Sequence, residues 1–146
     1  MNRLQKAIQQ LTRDHLSCIA LKGDHDYISN EKGLRPLMVP LRQDPDFFRD
    51  AFIIDRVIGK SAAFLLIKGR IKGLHAILIS QHAVDLLEKH NIPFTYDQLV
   101  PYIINDAHTD MCPMEKTVLK IENVDEAVLA LEAKIKIMMA NKSIIS

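Results

Sequence analysis

The stretch LHAILISQHAVDLLEKHNIPFTYDQLV, residues 74–100, decides the fold. Its first six residues are apolar apart from His75. That is how a strand covered on both faces reads, and it favours a parallel sheet with helices on each side. Ser80 follows, placed to cap a helix over 81–90 whose core face is Ala83, Val84 and Leu87. Asn91 and Pro93 close that helix. Phe94–Val100 reads as a second strand, with Phe94, Tyr96 and Leu99 expected to point inward.

On the N-terminal side, residues 52–68 read as one helix buried on most sides. Ile54, Val57, Ile58, Ala62, Leu65 and Leu66 keep helical spacing, while Ala63, Phe64 and Ile67 fill much of the other face, and Gly69 is placed to end it. Further upstream, residues 3–14 form an amphipathic helix with Leu4, Ile8 and Leu11 on its apolar stripe. The run Leu16–Leu21 and a short strand from Tyr27 make a β-hairpin around the turn 22–26. Pro36, Pro40 and Pro45 punctuate residues 32–50, where a short helix broken at Pro40 is expected, followed by a turn at Asp44-Pro45-Asp46.

On the C-terminal side, residues 101–111 form a polar, irregular loop. Cys112-Pro113 then starts a helix with Pro113 as its first residue. Asn123 with Glu126 resembles a capping box that opens a last helix, 124–139, with Val128, Leu131, Ile135 and Met138 on one stripe. Residues 141–146 are expected to fray. Alternating helices and strands predict an α/β fold, a three-layer α/β/α sandwich, as a single domain over 1–146.

Composition narrows the function classes. The chain has 146 residues, 48% of them hydrophobic and 25% charged, with a net charge of +1. That is material for an ordinary globular core, and it removes the bulk-charge argument for a nucleic-acid partner. The N-terminus MNRLQKAIQQ shows no apolar signal segment, and the longest apolar run, Ala62 to Ile67, is six residues, against roughly 18 for a membrane helix. Two cysteines, Cys18 and Cys112, fit a reducing compartment better than a disulfide scaffold. The expectation is a cytoplasmic protein with no membrane or nucleic-acid partner.

Four features carry possible chemistry. Gly59-Lys60-Ser61 imitates the end of a phosphate-binding loop, but Ile54 stands where that motif needs its first glycine. Lys60 itself, on a mainly buried helix, either snorkels or faces a pocket. The six histidines form no H-E-x-x-H and the cysteines no C-x-x-C, so no metal site is expected, and no cofactor. His25 is expected to be solvated on its turn. Cys112 stands at a helix N-terminus, which favours a thiolate, with Glu115 opposing and His108 and Asp110 near in sequence. The Ser80-Gln81-His82 junction offers backbone N–H groups beyond the carboxyl end of a strand, where open α/β sheets bind ligands.

The strings GKSAAFLLIKG, HAILIS, LVPYIIN and DMCPMEK resemble an uncharacterised bacterial domain family placed in the cytidine-deaminase-like superfamily. The resemblance runs from about Ser17 to Ile135 and implies a three-layer α/β/α fold with a mixed sheet. It does not bring the superfamily's zinc chemistry. Zinc deaminases carry H-x-E or C-x-E on one helix and P-C-x-x-C at the start of the next. This sequence has Lys60 where the glutamate would fall and Ser80-Gln81-His82-Ala83-Val84 at the second junction, so hydrolytic deamination by a zinc mechanism is rejected. What remains is a pocket at the same place. Its expected lining is Lys60, Ser61, Ser80, Gln81, Asn105, Thr109, Cys112 and Glu115, with Lys60 and Cys112 the candidates for any chemistry. The ligand it would suit is a nucleotide or similar small anion. The alternatives are an interaction or regulatory module without catalysis, and a thiol-dependent enzyme or redox sensor using Cys112. Self-association through the apolar C-terminal helix, with Ile137, Met138 and Met139, is also expected.

Overall fold

The computed structural model describes residues 1–23 and 25–145, the side chains of 142–145 excepted. Among these residues five strands form one sheet in the order β2-β1-β3-β4-β5. β1 (Cys18–Leu21) and β2 (Tyr27–Ser29) are the expected hairpin, and β1 also pairs antiparallel with β3 (Phe52–Ile58). β4 (Gly73–Ser80) and β5 (Phe94–Val100) continue parallel to β3. The sheet is therefore mixed, and among the described residues six helices accompany it.

β3 corrects the sequence reading. Residues 52–58 are a strand, and only Lys60–Lys68 (α3) is helical. The segment holds Ile53, Ile54, Val57 and Ile58, β-branched residues that suit a pleated strand. A strand buried on both faces loses its alternation, so its apolar positions also satisfy a helical template. Gly59 is the boundary. At the other end of α3, Gly69 does cap the helix, but in right-handed geometry; the left-handed residue is Arg70, at φ 57°.

Two further expectations change. Residues Arg35–Gln43 (α2) form one helix with Pro40 inside it, not a broken one. Pro40 has no N–H for the carbonyl of Pro36, and that carbonyl instead accepts the Tyr27 hydroxyl at 2.9 Å. The Asx turn at Asp44 follows as expected, with Asp46 N donating to Asp44 Oδ1 at 3.0 Å. In β5 only Phe94 packs on the core; Tyr96 and Leu99 are 42% and 41% exposed, because β5 is an edge strand.

Several ends lie where the sequence puts them. α1 (Arg3–Arg13) carries Leu4, Ile8 and Leu11 against the sheet, and Asn2 with Gln5 forms a capping box at its start. Ser80 Oγ accepts from Ala83 N at 3.2 Å to open α4 (Gln81–Lys89), and Asn91, at φ 57°, follows its end. Cys112 and Pro113 begin α5 (Pro113–Val118), and Asn123 Oδ1 accepts from Glu126 N at 2.9 Å to start α6 (Val124–Ile145). α6 runs six residues past its expected end. The expected fraying concerns a tail whose side chains beyond Asn141, and all of Ser146, lie outside the described residues.

The sheet separates two apolar clusters. Alternation sends Ile19 and Ile54 to one face, where Ala7, Leu11 and Leu16 meet them, and sends Cys18, Ala20 and Ile53 to the other. That second, larger cluster takes in α3, whose residues from Lys60 to Leu66 are all buried, together with side chains of α2, α4, α5 and α6.

Candidate functional site

Register places the site. Ile58 pairs with Ile79, so Gly59 and Ser80 stand next to each other at the carboxyl ends of parallel β3 and β4, where α3 and α4 begin. In open α/β sheets this edge is where ligands bind. A helix start there presents unpaired N–H groups that attract an anion.

At α3 the anion is supplied by the protein. Buried Glu115, on α5, accepts from Lys60 N at 2.5 Å through Oε1 and from Ser61 N at 3.0 Å through Oε2. The Ser61 hydroxyl donates to Oε2 as well. Met114 and Val118, buried on the same short helix, anchor α5 and so position the carboxylate. Gly59 is required by this contact: a Cβ there would stand 2.0 Å from Glu115 Oε1. The Gly-Lys-Ser string thus holds a carboxylate on its N–H groups, as a phosphate loop holds phosphate, but the carboxylate belongs to the chain.

The side chain of Lys60 leads elsewhere. It is only 6% exposed, and its amine donates to Leu119 O at 2.8 Å and lies 3.4 Å from Glu122 Oε1. The other oxygen of Glu122 lies 3.5 Å from Lys89 Nζ. The Lys60 charge, with Lys89 adding to it, holds the Glu122 carboxyl below its ordinary range. Lys60, Lys89 and Glu122 line a cleft of about 230 Å³ together with His82, Asp85, Leu86 and Leu119.

Of the residues singled out from the sequence, Lys60, Ser61 and Glu115 come together. Ser80 is fully buried and occupied as the cap of α4. Gln81 is exposed and donates to Asp85 Oδ1 at 2.8 Å, beside the cleft. Asn105 and Thr109 bond to each other, Thr109 N to Asn105 Oδ1 at 3.0 Å, and shape the loop before α5. Cys112 is half-buried against the larger cluster. Asp110 is held by Lys116 and by Met111 N rather than by the thiol.

His82, Asp85, Lys89 and Glu122 went unnoticed as a group. His82, Asp85 and Lys89 are spaced by three and four residues, so they share one stripe of α4. That spacing was the available signal. Glu122 has none, since its place depends on how α6 is approached. Two other polar groupings lie inside the sheet. Cys18 on β1 stands opposite half-buried Asp55 on β3; burial pushes the Asp55 carboxyl up to about 7 and pushes the Cys18 thiol up as well. His75 Nδ1 lies 2.7 Å from Thr95 Oγ1, and its Nε2 lies 3.2 Å from Asp97 Oδ1 without forming an aligned hydrogen bond. Among the described residues, no three His, Cys, Asp or Glu side chains gather as metal ligands would, and no helix is long and apolar enough to cross a membrane.

Fold and site define a class: a mixed-sheet α/β domain whose first helix start at the carboxyl edge is closed by a carboxylate of its own chain. A family model described as TM1506, a domain of unknown function (DUF1893), matches residues 6–135, and the chain belongs to that family. The crystal structure of a DUF1893 family protein, TM1506 from Thermotoga maritima, is similar to it over 92% of both chains, at 29% identity and a TM-score of 0.82. No functionally curated protein matches the chain.

Proposed function

We propose that this domain binds a small anionic molecule in the cleft between Lys60, Lys89 and His82. Glu122 carries the reading. It is 62% exposed, yet it lies between two amines at 3.4 and 3.5 Å, one of them buried. Its pair with Lys89 is exposed on both sides, and such surface ion pairs contribute only about 0–1 kcal/mol. A phosphate or carboxylate taking its place would gain a charge-assisted contact with a lysine already held in position by Leu119 O.

The cleft limits the ligand. At about 230 Å³ it is smaller than the roughly 300–1,000 Å³ of sites that enclose a drug-sized molecule. It suits a phosphate or carboxylate group with a small attachment. A nucleotide would seat its phosphate and leave its base outside. The nucleotide reading draws on the resemblance to the cytidine-deaminase-like superfamily and its three-layer architecture. The proposal is for binding alone, and Lys60 has the role of an anion anchor.

The test is isothermal titration calorimetry with inorganic phosphate, pyrophosphate and cytidine monophosphate. At least one is expected to bind, with affinity reduced about tenfold by Lys89→Ala, the loss of one charge-assisted contact. Lys89 is well exposed, so that variant keeps the fold. No heat with any of the three at millimolar concentration would overturn the reading.

A further inference from the structure

α6 carries two apolar stripes. Ala127, Leu131 and Ile135, with Val124 and Val128 beside them, face the larger cluster. Leu129, Ala133, Ile137 and Ala140, at spacings of four, four and three, line the other side. All four are exposed, Leu129 to 67% and Ile137 to 55%. A helix that is apolar on two sides is one that packs on two sides. Every residue from Lys136 to Asn141 is exposed, so the second stripe continues past Ile135, where the first leaves the core.

The charges along α6 are ordered. Asp125, Glu126 and Glu132 lie in its first part, and Lys134 and Lys136 follow. A helix that begins acidic and continues basic attracts a copy of itself running the opposite way and repels one running the same way. The exposed stripe has matching symmetry, with Leu129 and Ile137 each four residues from Ala133.

We infer that this stripe is covered by the same stripe of a second copy of the chain, the two helices antiparallel and crossing at Ala133. In that register Leu129 of each copy packs on Ile137 of the other. The small Ala133 side chains let the helices approach closely. Glu132 and Lys136, which flank the stripe on one side, face Lys136 and Glu132 of the second copy. The contact from Leu129 to Ala140 is about 16 Å long. One helix face of that length presents less surface than the roughly 800 Å² per partner of a standard interface, so dissociation in the micromolar range is expected.

Sedimentation velocity of the full chain over about 1–200 µM, spanning that range, tests the proposal. The expected result is a concentration-dependent dimer. Leu129→Glu and Ile137→Glu, both at exposed positions, should leave it monomeric with unchanged circular dichroism and Tm. Glu132→Lys and Lys136→Glu should each weaken it about tenfold, as loss of a charge pair does, and the double variant should restore it. In a Cys112→Ser background, Ala133→Cys should give a disulfide-linked dimer on oxidation. A monomer at every concentration would overturn the proposal, as would a dimer indifferent to both apolar replacements. A dimer lost with Leu129→Glu but blind to the charge reversals would overturn the antiparallel register.

Discussion

Lys60 meets two glutamates, and the two meetings differ in kind. Its backbone N–H is held by Glu115, buried and bonded at 2.5 Å; its amine is approached by Glu122, exposed and 3.4 Å away. Both carboxylates neutralise positive charge at the same carboxyl edge of the sheet. Glu115 does so where no water competes and where three N–H and O–H groups have no other acceptor, so it is part of the architecture. Glu122 does so at the surface, where water and salt compete, so it is exchangeable. A helix start that looks like an anion site is therefore already filled, while the open position lies one side chain further out.

The largest expected effect breaks the buried half of this comparison. Glu115→Ala strands two buried N–H groups and a hydroxyl, and should cost about 3 kcal/mol or more in urea unfolding. Gly59→Ala should be destabilising to a similar degree, since its new Cβ meets Glu115 Oε1. Glu115→Ala removes that clash. The double variant should therefore cost clearly less than the sum of the two single changes.

A third carboxylate sharpens the comparison. Asp55 is half-buried on β3 and has Val57 N as a donor at 3.1 Å, but no helix start to receive it, and burial raises it to about 7. Below its ordinary value of 3.8 the folded and unfolded chains both hold the proton, and the group contributes nothing to the pH dependence. Between there and about 7 the unfolded chain gives up the proton first, so native stability falls as pH rises. Asp55→Asn should remove that fall. Measured by thermal unfolding, the variant should gain roughly 1–3 kcal/mol over wild type at pH 8 and little at pH 4.

The smallest effect belongs to the exposed carboxylate. Glu122→Gln should change stability by less than about 1 kcal/mol. Calorimetry with pyrophosphate should nonetheless show tighter binding, because the competing charge is gone. Unchanged or weaker affinity would mean that Glu122 does not compete for the lysines.

Much of this was legible residue by residue, where the information is local. Ser80, Asn91, Pro113 and Asn123 mark ends, and a cap is decided by a few neighbouring residues. The strand nature of 52–58 was not, because burial on both faces erases the alternation that distinguishes a strand from a helix. The exposure of Tyr96 and Leu99 depends on β5 being at an edge, a property of strand order. In the site, Lys60 and Ser61 stood out by residue type. Glu115 stood out as a charge near Cys112 and, through the family resemblance, as part of the pocket lining; its actual contact is with α3, 55 residues away.

That separation bears on how the chain is made. Synthesis runs from the N-terminus, and domains begin to organise as they emerge. The strand-helix-strand unit built on β3, α3 and β4 is complete well before residue 115 exists. Until α5 is in place, the first N–H groups of α3 lack the carboxylate that holds them in the finished fold. The start of this helix is therefore closed only once α5 is in place, by a residue that lies 55 positions further along the chain.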